Sequence, residues 1–193
     1  VVNYRRICDS FPKNTIERCN EIDPKSEILL IGNLWFNWQS REEKIASDIL
    51  KYINNINDLK KNDNFKEIQK IIVFGQIPAL RNENLSIMSC LLKPKFFFKY
   101  QDCEKKYSYL DDKENNLGKY KQVNKYLELY GNKIISENFE FLFIDPIKSL
   151  CKFNECIQYK DKKVFYANNN HLSRVAVDYI YEDYKEVIND FLK

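Results

Sequence analysis

The chain lacks the features that mark membrane, secreted-precursor and nucleic-acid-binding proteins. None of its apolar runs approaches the roughly 18 residues of a membrane span. Its first six residues, Val-Val-Asn-Tyr-Arg-Arg, turn polar almost at once, which is unlike a signal peptide. A net charge of +3 without a Lys/Arg cluster argues against a nucleic-acid partner. An initiator Met is also absent, so we expect a processed chain or a piece of a longer one.

Metal-ligating residues are scarce as well. The sequence contains a single histidine and no Cys-x-x-Cys pair, which leaves little support for a zinc site. We therefore expect neither a metal nor an organic cofactor. What the chain does have is 193 residues, of which 44% are apolar and 15% aromatic, enough for one globular domain over residues 1–193 with a real core.

The six cysteines fall into three neighbouring pairs along the chain. Six cysteines allow 15 connectivities, and local closure is the simplest because each pair brackets a Pro-containing, charged or turn-like segment. The predicted bonds are Cys8–Cys19, Cys90–Cys103 and Cys151–Cys156. Three disulfides would indicate an oxidising compartment. The alternative is six buried thiols in a cytosolic protein.

The first half of the chain predicts a βαβ unit. Residues 27–32 and 70–75 each contain a short continuous apolar run, which is typical of a strand buried on both faces. Between them, Ser40-Arg41-Glu42-Glu43 is a capping-box pattern that begins a helix. The apolar face of that helix comprises Ile45, Ala46, Ile49, Leu50 and Ile53. This order predicts a parallel sheet.

The second half of the chain extends the α/β pattern. We expect a helix over residues 119–130 that Gly131 stops, a strand over 139–144, and a short helix ending at Cys151. The last helix is predicted from an N-cap at Ser173 to Leu192. Its predicted inner face comprises Ala176, Tyr179, Ile180, Val187 and Phe191. The predicted fold is α/β, three-layered and flavodoxin-like.

The single histidine lies in the most informative stretch of the sequence. A β-prone run over residues 164–166 is followed by Ala167 and the three turn-forming residues 168–170, and His171 comes next, just before the last helix. This order puts an imidazole on a loop between a strand and a helix, where catalytic groups of α/β folds collect. The alternative is a surface histidine near a helix start.

Four landmarks occur in order along the chain. They are the strand and Trp at 28–35, Val73-Phe74-Gly75-Gln76-Ile77-Pro78, Phe143-Ile144-Asp145-Pro146 with the close cysteine pair 151 and 156, and Tyr166-x-Asn168-x-x-His171-Leu172-Ser173. Together they resemble, over residues 4–185, the SGNH-type domain of bacterial membrane acyltransferases that O-acetylate cell-surface glycans. The resemblance implies an SGNH hydrolase-type parallel sheet in a periplasmic or extracellular, disulfide-bonded protein, tethered to the inner membrane through its parent chain.

The resemblance also implies a chemistry and its participants. In that family a serine in a Gly-Asp-Ser block attacks an acyl donor, a histidine accepts its proton, and an Asp three residues earlier orients the imidazole. His171 matches the general base, and Asn168 stands at the position of the Asp. The implied partners are a glycan acceptor and an acyl donor handled by a membrane acyltransferase domain, which is the chain's only expected link to a membrane.

The chain departs from the family pattern in three places. It contains no Gly-Asp-Ser block, so we expect that it begins after the nucleophile strand. Asn168 cannot stabilise an imidazolium as a carboxylate does, and in a serine protease triad the same exchange lowered turnover by about 10⁴. The position that often supplies an oxyanion Asn aligns with Leu34, and Asn33 is its neighbour.

Three further residues are candidates for substrate binding. Asn33 and Trp35 follow the first strand, and Gln76 follows the second. Each has an ordinary alternative, namely a loop amide for Asn33 and Gln76 and packing for Trp35. Two other functions compete with acyl transfer to a glycan. The first is a catalytically inactive SGNH domain that binds glycan or a partner protein, and the second is a simple extracytoplasmic esterase.

Overall fold

The computed structural model describes residues 27–32, 42–61, 66–78, 90–91, 109–111, 117–153, 155–168 and 171–193. Its helices are α1 (Glu42–Asn57), α2 (Leu117–Ile134), α3 (Pro146–Leu150) and α4 (Arg174–Phe191). Its strands are β1 (Ile28–Gly32), β2 (Lys70–Phe74), β3 (Tyr109–Asp111), β4 (Glu140–Ile144), β5 (Cys151–Lys152), β6 (Glu155–Ile157), β7 (Tyr159–Lys160) and β8 (Lys163–Val164).

The described residues separate into two compact units. One unit comprises those within Val1–Gln76 and Gln122–Asp145, and the other those within Ile77–Lys121 and Pro146–Lys193. The first holds the parallel sheet, and the second holds the antiparallel strands and the histidine loop. The assignment of residues 1–193 to a single SGNH-like domain that lacks its nucleophile strand stays a prediction.

A parallel sheet forms the centre of the first unit. Its strand order is β1-β2-β4, and both pairs are parallel, in the register Leu30↔Ile72 and Ile72↔Leu142. The central strand β2 is buried on both faces, since Ile71 and Val73 on one face are completely enclosed and Ile72 on the other face is buried as well. That burial requires the continuous apolar run seen in the sequence. The predicted α/β class with a parallel sheet is confirmed.

Helix α1 buries a stripe of isoleucines. Ile45, Ile49 and Ile53 recur at four-residue spacing and are all enclosed, as the predicted apolar face requires. Leu50, which was predicted on the same face, is 36% exposed and lies at the edge of the stripe. The helix runs to Asn57 and ends in a turn of 3-10 helix over Asp58–Lys61.

Helix α2 does not stop at Gly131, as the sequence predicted, but continues to Ile134. Gly131 is buried, and a Cβ atom at this position would overlap the ring of Phe141 on strand β4. The glycine is therefore a close-packing position in the helix interior, because only a residue without a side chain admits the phenylalanine ring. A C-terminal cap and a packing glycine look alike in a sequence.

The second unit is built on antiparallel strands. Strands β3, β6 and β5 form one sheet in that order, and β7 pairs with β8 in a separate hairpin. The predicted short helix before Cys151 is present as α3. Cys90 and Tyr159 are buried together, with Leu91 and Val164 packed against them. This cluster joins the middle cysteine to the β7–β8 hairpin.

Helix α4 begins as the sequence predicted, with Ser173 as its N-cap. Of the predicted inner face, Ala176 and Ile180 are buried, whereas Val187 is 51% exposed, so its assignment to the inner face was wrong. No position of α4 beyond Ile180 is buried. Helical periodicity identifies a face, but it does not say how far along the helix a packing partner extends.

Candidate functional site

The loop that carries His171 is closed at its base by backbone hydrogen bonds. Tyr166 and Leu172 form an antiparallel bridge, and the Ala167 N–H donates to the His171 carbonyl over 2.9 Å. One step further out, the Ser173 N–H donates to the Phe165 carbonyl, also over 2.9 Å. The chain therefore enters and leaves the loop at one fixed point, with the imidazole just beyond it.

The Ser173 hydroxyl ties this base to two other elements. Its Oγ donates to the carbonyl oxygen of Val164, at the end of β8, over 2.6 Å. The same Oγ accepts a hydrogen bond from the Ala176 N–H over 3.3 Å, which caps helix α4. One hydroxyl thus connects strand, loop and helix.

Asn168 and His171 are in direct contact at the tip of the loop. The Asn168 Oδ1 lies 2.7 Å from the His171 Nδ1 and accepts the His171 backbone N–H over 3.0 Å. Both residues are exposed. The structure therefore brings together the two residues that the sequence proposed as a catalytic pair.

The double contact determines the tautomer of the imidazole. A backbone N–H can only donate, so the amide atom facing it is the oxygen and not the NH₂ group. The Nδ1 atom meets that same oxygen, which accepts only, and Nδ1 must therefore carry a proton. The neutral ring then presents Nε2 as its unprotonated nitrogen, which is the form that a general base needs.

Tyr166 is enclosed beneath the loop. Its side chain is among the largest fully buried ones, and its Oη has no hydrogen-bond partner within the described ranges. Burial raises the pKa of the Tyr166 phenol well above its usual value, with a smaller contribution from Tyr120. The side chain therefore supports the loop as a neutral group.

In the first unit, the carboxyl ends of β2 and β4 are joined by one side chain. The Asn124 Oδ1 accepts the Gln76 backbone N–H over 2.6 Å, and the Asn124 Nδ2 donates to the Gln76 carbonyl over 3.0 Å. The same Nδ2 donates to the Asp145 Oδ1 over 2.6 Å. Asn124 on helix α2 is 1% exposed, so this amide clamp is a buried feature of the sheet edge. Sequence reasoning missed Asn124.

Gly75 makes room for this clamp. A Cβ atom on Gly75 would lie 2.8 Å from the Phe143 ring and 2.9 Å from the Asn124 Oδ1. The Gly75 N–H donates to the Ile144 carbonyl over 2.8 Å, which extends the pairing of β2 and β4 by one residue. Close packing therefore explains why a glycine precedes Gln76 in the sequence.

The remaining predicted site residues have different outcomes. Gln76 is completely buried and holds the amide clamp through its backbone, whereas Asn33 and Trp35 lie outside the described residues. Asp145 is buried directly after β4, and its carboxylate accepts the hydrogen bond from Asn124.

Of the three predicted cysteine pairs, the one that lies wholly within the described residues is confirmed. Cys151 and Cys156 form a disulfide across β5 and β6, with their Cα atoms 4.0 Å apart. Cys90 is also disulfide-bonded. Its predicted partner Cys103 and the pair Cys8 and Cys19 lie outside the described residues.

The described residues contain neither a cluster of metal-ligating side chains nor a membrane-spanning helix. In the part of the chain that the structure describes, no group of His, Cys, Asp and Glu residues could hold a metal ion. Among these helices, none is long and apolar enough to cross a membrane.

Known proteins resemble the chain at two levels. Residues 2–186 match the family model described as SGNH domain (fused to AT3 domains). Among solved structures, the periplasmic domain of a lipopolysaccharide acetyltransferase from Salmonella ser. Paratyphi A is similar, with a TM-score of 0.56 and 16% sequence identity. The match covers 91% of this chain and 60% of that one, and at this identity the likeness concerns the fold. No curated protein matches the chain significantly.

Proposed function

Because the chain belongs to the family of SGNH domains that are fused to AT3 (acyltransferase 3) domains, we propose that it takes part in O-acyl transfer to a surface glycan. The observation that carries the proposal is the contact of Asn168 Oδ1 with both the Nδ1 and the backbone N–H of His171. This arrangement supports an imidazole held in the general-base tautomer on an exposed loop.

The proposed reaction has two halves, with a serine that these 193 residues do not supply in a Gly-Asp-Ser block. His171 Nε2 takes the serine proton as the oxygen attacks the acyl carbonyl, and it returns that proton to the departing alcohol or thiol. A sugar hydroxyl then gives its proton to His171 and attacks the acyl-serine, and the proton returns to the serine oxygen. In both halves of the reaction, Asn168 holds the orientation and the tautomer of the imidazole ring.

Asn168 makes this base weaker than that of a complete triad. A neutral amide accepts the Nδ1 proton, but it adds no negative charge to stabilise the imidazolium. An Asn whose NH₂ group faced the ring would favour the wrong tautomer of the imidazole. Here the Asn168 oxygen faces Nδ1 instead. The catalytic loss is therefore limited to the difference between a charged and a neutral acceptor. We expect it to be about tenfold, since that difference is about 1–1.5 kcal/mol.

A periplasmic location and a membrane-embedded donor domain belong to the same proposal. The structural neighbour is the periplasmic part of a lipopolysaccharide acetyltransferase, and the family's domains are fused to AT3 domains. The Cys151–Cys156 bond and the bonded Cys90 support an oxidising compartment. The acceptor glycan and the acyl donor belong to the proposal, because the fold does not identify them.

A catalytically inactive domain that binds glycan or a partner protein is the second candidate. The observation that favours it is Asn168 itself, an uncharged residue where the family has Asp, together with the absence of a Gly-Asp-Ser block from these residues. In such a domain the Asn168–His171 contact would serve only to shape a loop.

Substitutions at Asn168 and His171 separate the two candidates. The assay is acyl transfer, with ester hydrolysis in parallel, by the gene product that includes these residues. We expect His171→Ala to lower the rate by about 10²–10⁴, the usual contribution of a general base. Asn168→Asp should raise the rate about tenfold. Because a carboxylate raises the pKa of the imidazole, the acid limb of the pH–rate profile should move to higher pH.

Asn168→Leu is the matched control, since it has a similar volume and no acceptor for either N–H group. The rate of acyl transfer by this variant should fall well below that of the unchanged protein if the tautomer of the imidazole matters. If none of the three substitutions changes the rate, and the circular dichroism of the variants is unchanged, the acyl-transfer proposal is rejected and the binding role is favoured. Intact activity in His171→Ala alone would remove the histidine from the mechanism.

A further inference from the structure

Two short segments flank the tip of the histidine loop. The entry segment, residues 164–168, carries Asn168 at its end, and the exit segment, residues 171–173, begins with His171. The 2.7 Å contact between the Asn168 Oδ1 and the His171 Nδ1 therefore joins the two segments. A shift of one segment along the other changes this distance, so the bonds that hold the segments together also hold the imidazole.

Ser173 ties the two segments together at the end away from the tip. Its N–H donates to the Phe165 carbonyl over 2.9 Å, and its Oγ donates to the Val164 carbonyl over 2.6 Å. The hydroxyl thus reaches one residue further back along the entry segment than the backbone N–H does. Helix α4 begins at Arg174. The Ser173 side chain therefore makes this connection where the extended backbone of the exit segment has ended.

The same hydroxyl caps helix α4, but the geometry makes the donation to Val164 its stronger bond. A hydrogen bond from a hydroxyl to an oxygen is usually about 2.7–2.8 Å long, and the bond to Val164 is no longer than that. The Ala176 nitrogen, by contrast, lies 3.3 Å from the Ser173 Oγ. The Ala176 N–H also donates to the Ser173 carbonyl over 3.1 Å, so it keeps an acceptor without the hydroxyl.

We propose that Ser173 is a positioning residue for His171, and that it acts through the hydrogen bond from its hydroxyl to the Val164 carbonyl. This bond fixes the exit segment against the entry segment and thereby keeps the Nδ1 proton of His171 on the Asn168 oxygen. The inference rests on the proposed function, because positioning serves acyl transfer only if His171 is the general base. The alternative is a serine that only caps a helix.

The tautomer of the imidazole measures the positioning directly. His171 is the only histidine in the sequence, so its ring signals in a ¹⁵N NMR spectrum of the 193-residue chain need no assignment. In alkaline buffer, where a histidine ring is neutral, the shifts of the two nitrogens give the ratio of the Nε2–H to the Nδ1–H tautomer. In the unchanged chain we expect the Nδ1–H form to dominate. Asn168→Leu lacks the acceptor and supplies the spectrum of a ring that is not positioned.

Two substitutions at Ser173 separate the donation to Val164 from the helix cap. Ser173→Ala removes both, whereas Ser173→Gly removes the hydroxyl and leaves a residue that is still well suited to an N-cap. We expect the ratio of the Nε2–H to the Nδ1–H tautomer to rise roughly two- to tenfold in both variants, which is the factor for losing one hydrogen bond. Ser173→Thr keeps a hydroxyl and should retain the ratio of the unchanged chain.

Ser47→Ala is the matched control, on helix α1. The Ser47 Oγ also donates to a backbone carbonyl, that of Lys44 over 2.9 Å, and its removal should leave the tautomer ratio unchanged. The Ser173 variants should keep their fold, because Phe165 and Ala176 are buried and the substitutions remove no backbone hydrogen bond of the loop base. Far-ultraviolet circular dichroism checks the fold of every variant.

The proposal fails if Ser173→Ala leaves the tautomer ratio unchanged. A rise in Ser173→Ala that is absent from Ser173→Gly would assign the serine to helix capping alone. A mixture of tautomers already present in the unchanged chain would contradict the Asn168 contact on which the proposal depends.

The spectrum requires no turnover, so the role of Ser173 and the proposed function can fail separately. Unshifted spectra of the Ser173 variants, with an inactive His171→Ala, would reject only the positioning role. Shifted spectra, with full activity in His171→Ala, would reject the proposed function instead.

Discussion

The amide clamp at the sheet edge predicts a pH-dependent loss of stability in Asn124→Asp. In the unchanged protein the Asn124 Nδ2 donates to the Asp145 Oδ1 over 2.6 Å. The substitution puts a carboxylate oxygen in place of that donor, so two buried carboxylates would face each other. At an effective dielectric constant of about 20, their repulsion at 2.6 Å would be about 6 kcal/mol.

Binding one proton is a smaller penalty than this repulsion. Holding a carboxyl with an unfolded-state pKa of about 3.9 in its protonated form costs about 3.5 kcal/mol at about pH 6.5 and about 1.5 kcal/mol at about pH 5. The folded variant therefore keeps a shared proton to a higher pH than the unfolded chain does. A further loss of about 1 kcal/mol, independent of pH, comes from the hydrogen bond to the Gln76 carbonyl.

The sign of the pH dependence follows from the raised pKa of the pair. A group whose pKa is higher in the folded state stabilises the fold below its unfolded pKa, and this contribution is lost as the pH rises through the folded pKa. Relative to the unchanged protein, Asn124→Asp should thus recover about 2 kcal/mol between about pH 6.5 and pH 5.

Urea unfolding followed by circular dichroism measures the free energy of unfolding of Asn124→Asp and of the unchanged protein at each pH. Asn138→Asp is the matched control, because Asn138 is exposed and its Nδ2 donates to the Asn57 Oδ1 over 2.9 Å. It should cost less than about 1 kcal/mol at either pH. If the deficit of Asn124→Asp does not change with pH, the residue at 124 is not beside the Asp145 carboxylate, and the clamp is wrong.

Two more substitutions test packing. Gly131→Ala should lower the free energy of unfolding by about 1–3 kcal/mol in urea titrations because its Cβ overlaps Phe141, and the effect should shrink or reverse in a Phe141→Leu background, where the helix gain of up to about 1 kcal/mol remains. Equal losses in both backgrounds would contradict the contact. Tyr166→Phe should raise the free energy of unfolding by about 1 kcal/mol, since the Oη is buried without a hydrogen-bond partner among the residues that the structure describes; a loss instead would mean that the hydroxyl binds a buried water.

The sequence predicted those elements whose signals are local. The apolar runs around Ile71 and Phe143 identified strands, and Ser173 was correctly predicted as an N-cap, because period, length and capping chemistry act within a few residues. The pairing of Asn168 with His171 was also predictable, since three residues of a turn suffice to bring them together.

The clamp and the packing glycine escaped prediction because their partners are distant in sequence. Asn124 meets Gln76 across 48 residues and Asp145 across 21. A single Asn on an amphipathic helix forms no sequence pattern that predicts such a contact. The orientation of the Asn168 amide likewise required coordinates, because only the position of the His171 backbone N–H distinguishes oxygen from nitrogen there.

The shared Ser173 hydroxyl makes the placement of the imidazole part of a local folding unit. Because the same Oγ caps helix α4 and binds the Val164 carbonyl, fraying of the first helical turn removes one of the ties that hold the loop base together. The histidine is then released by a subglobal opening, whose free energy is smaller than that of complete unfolding. Heating would therefore displace the imidazole of His171 before the parallel sheet unfolds, and cooling would restore its position without refolding of the whole chain.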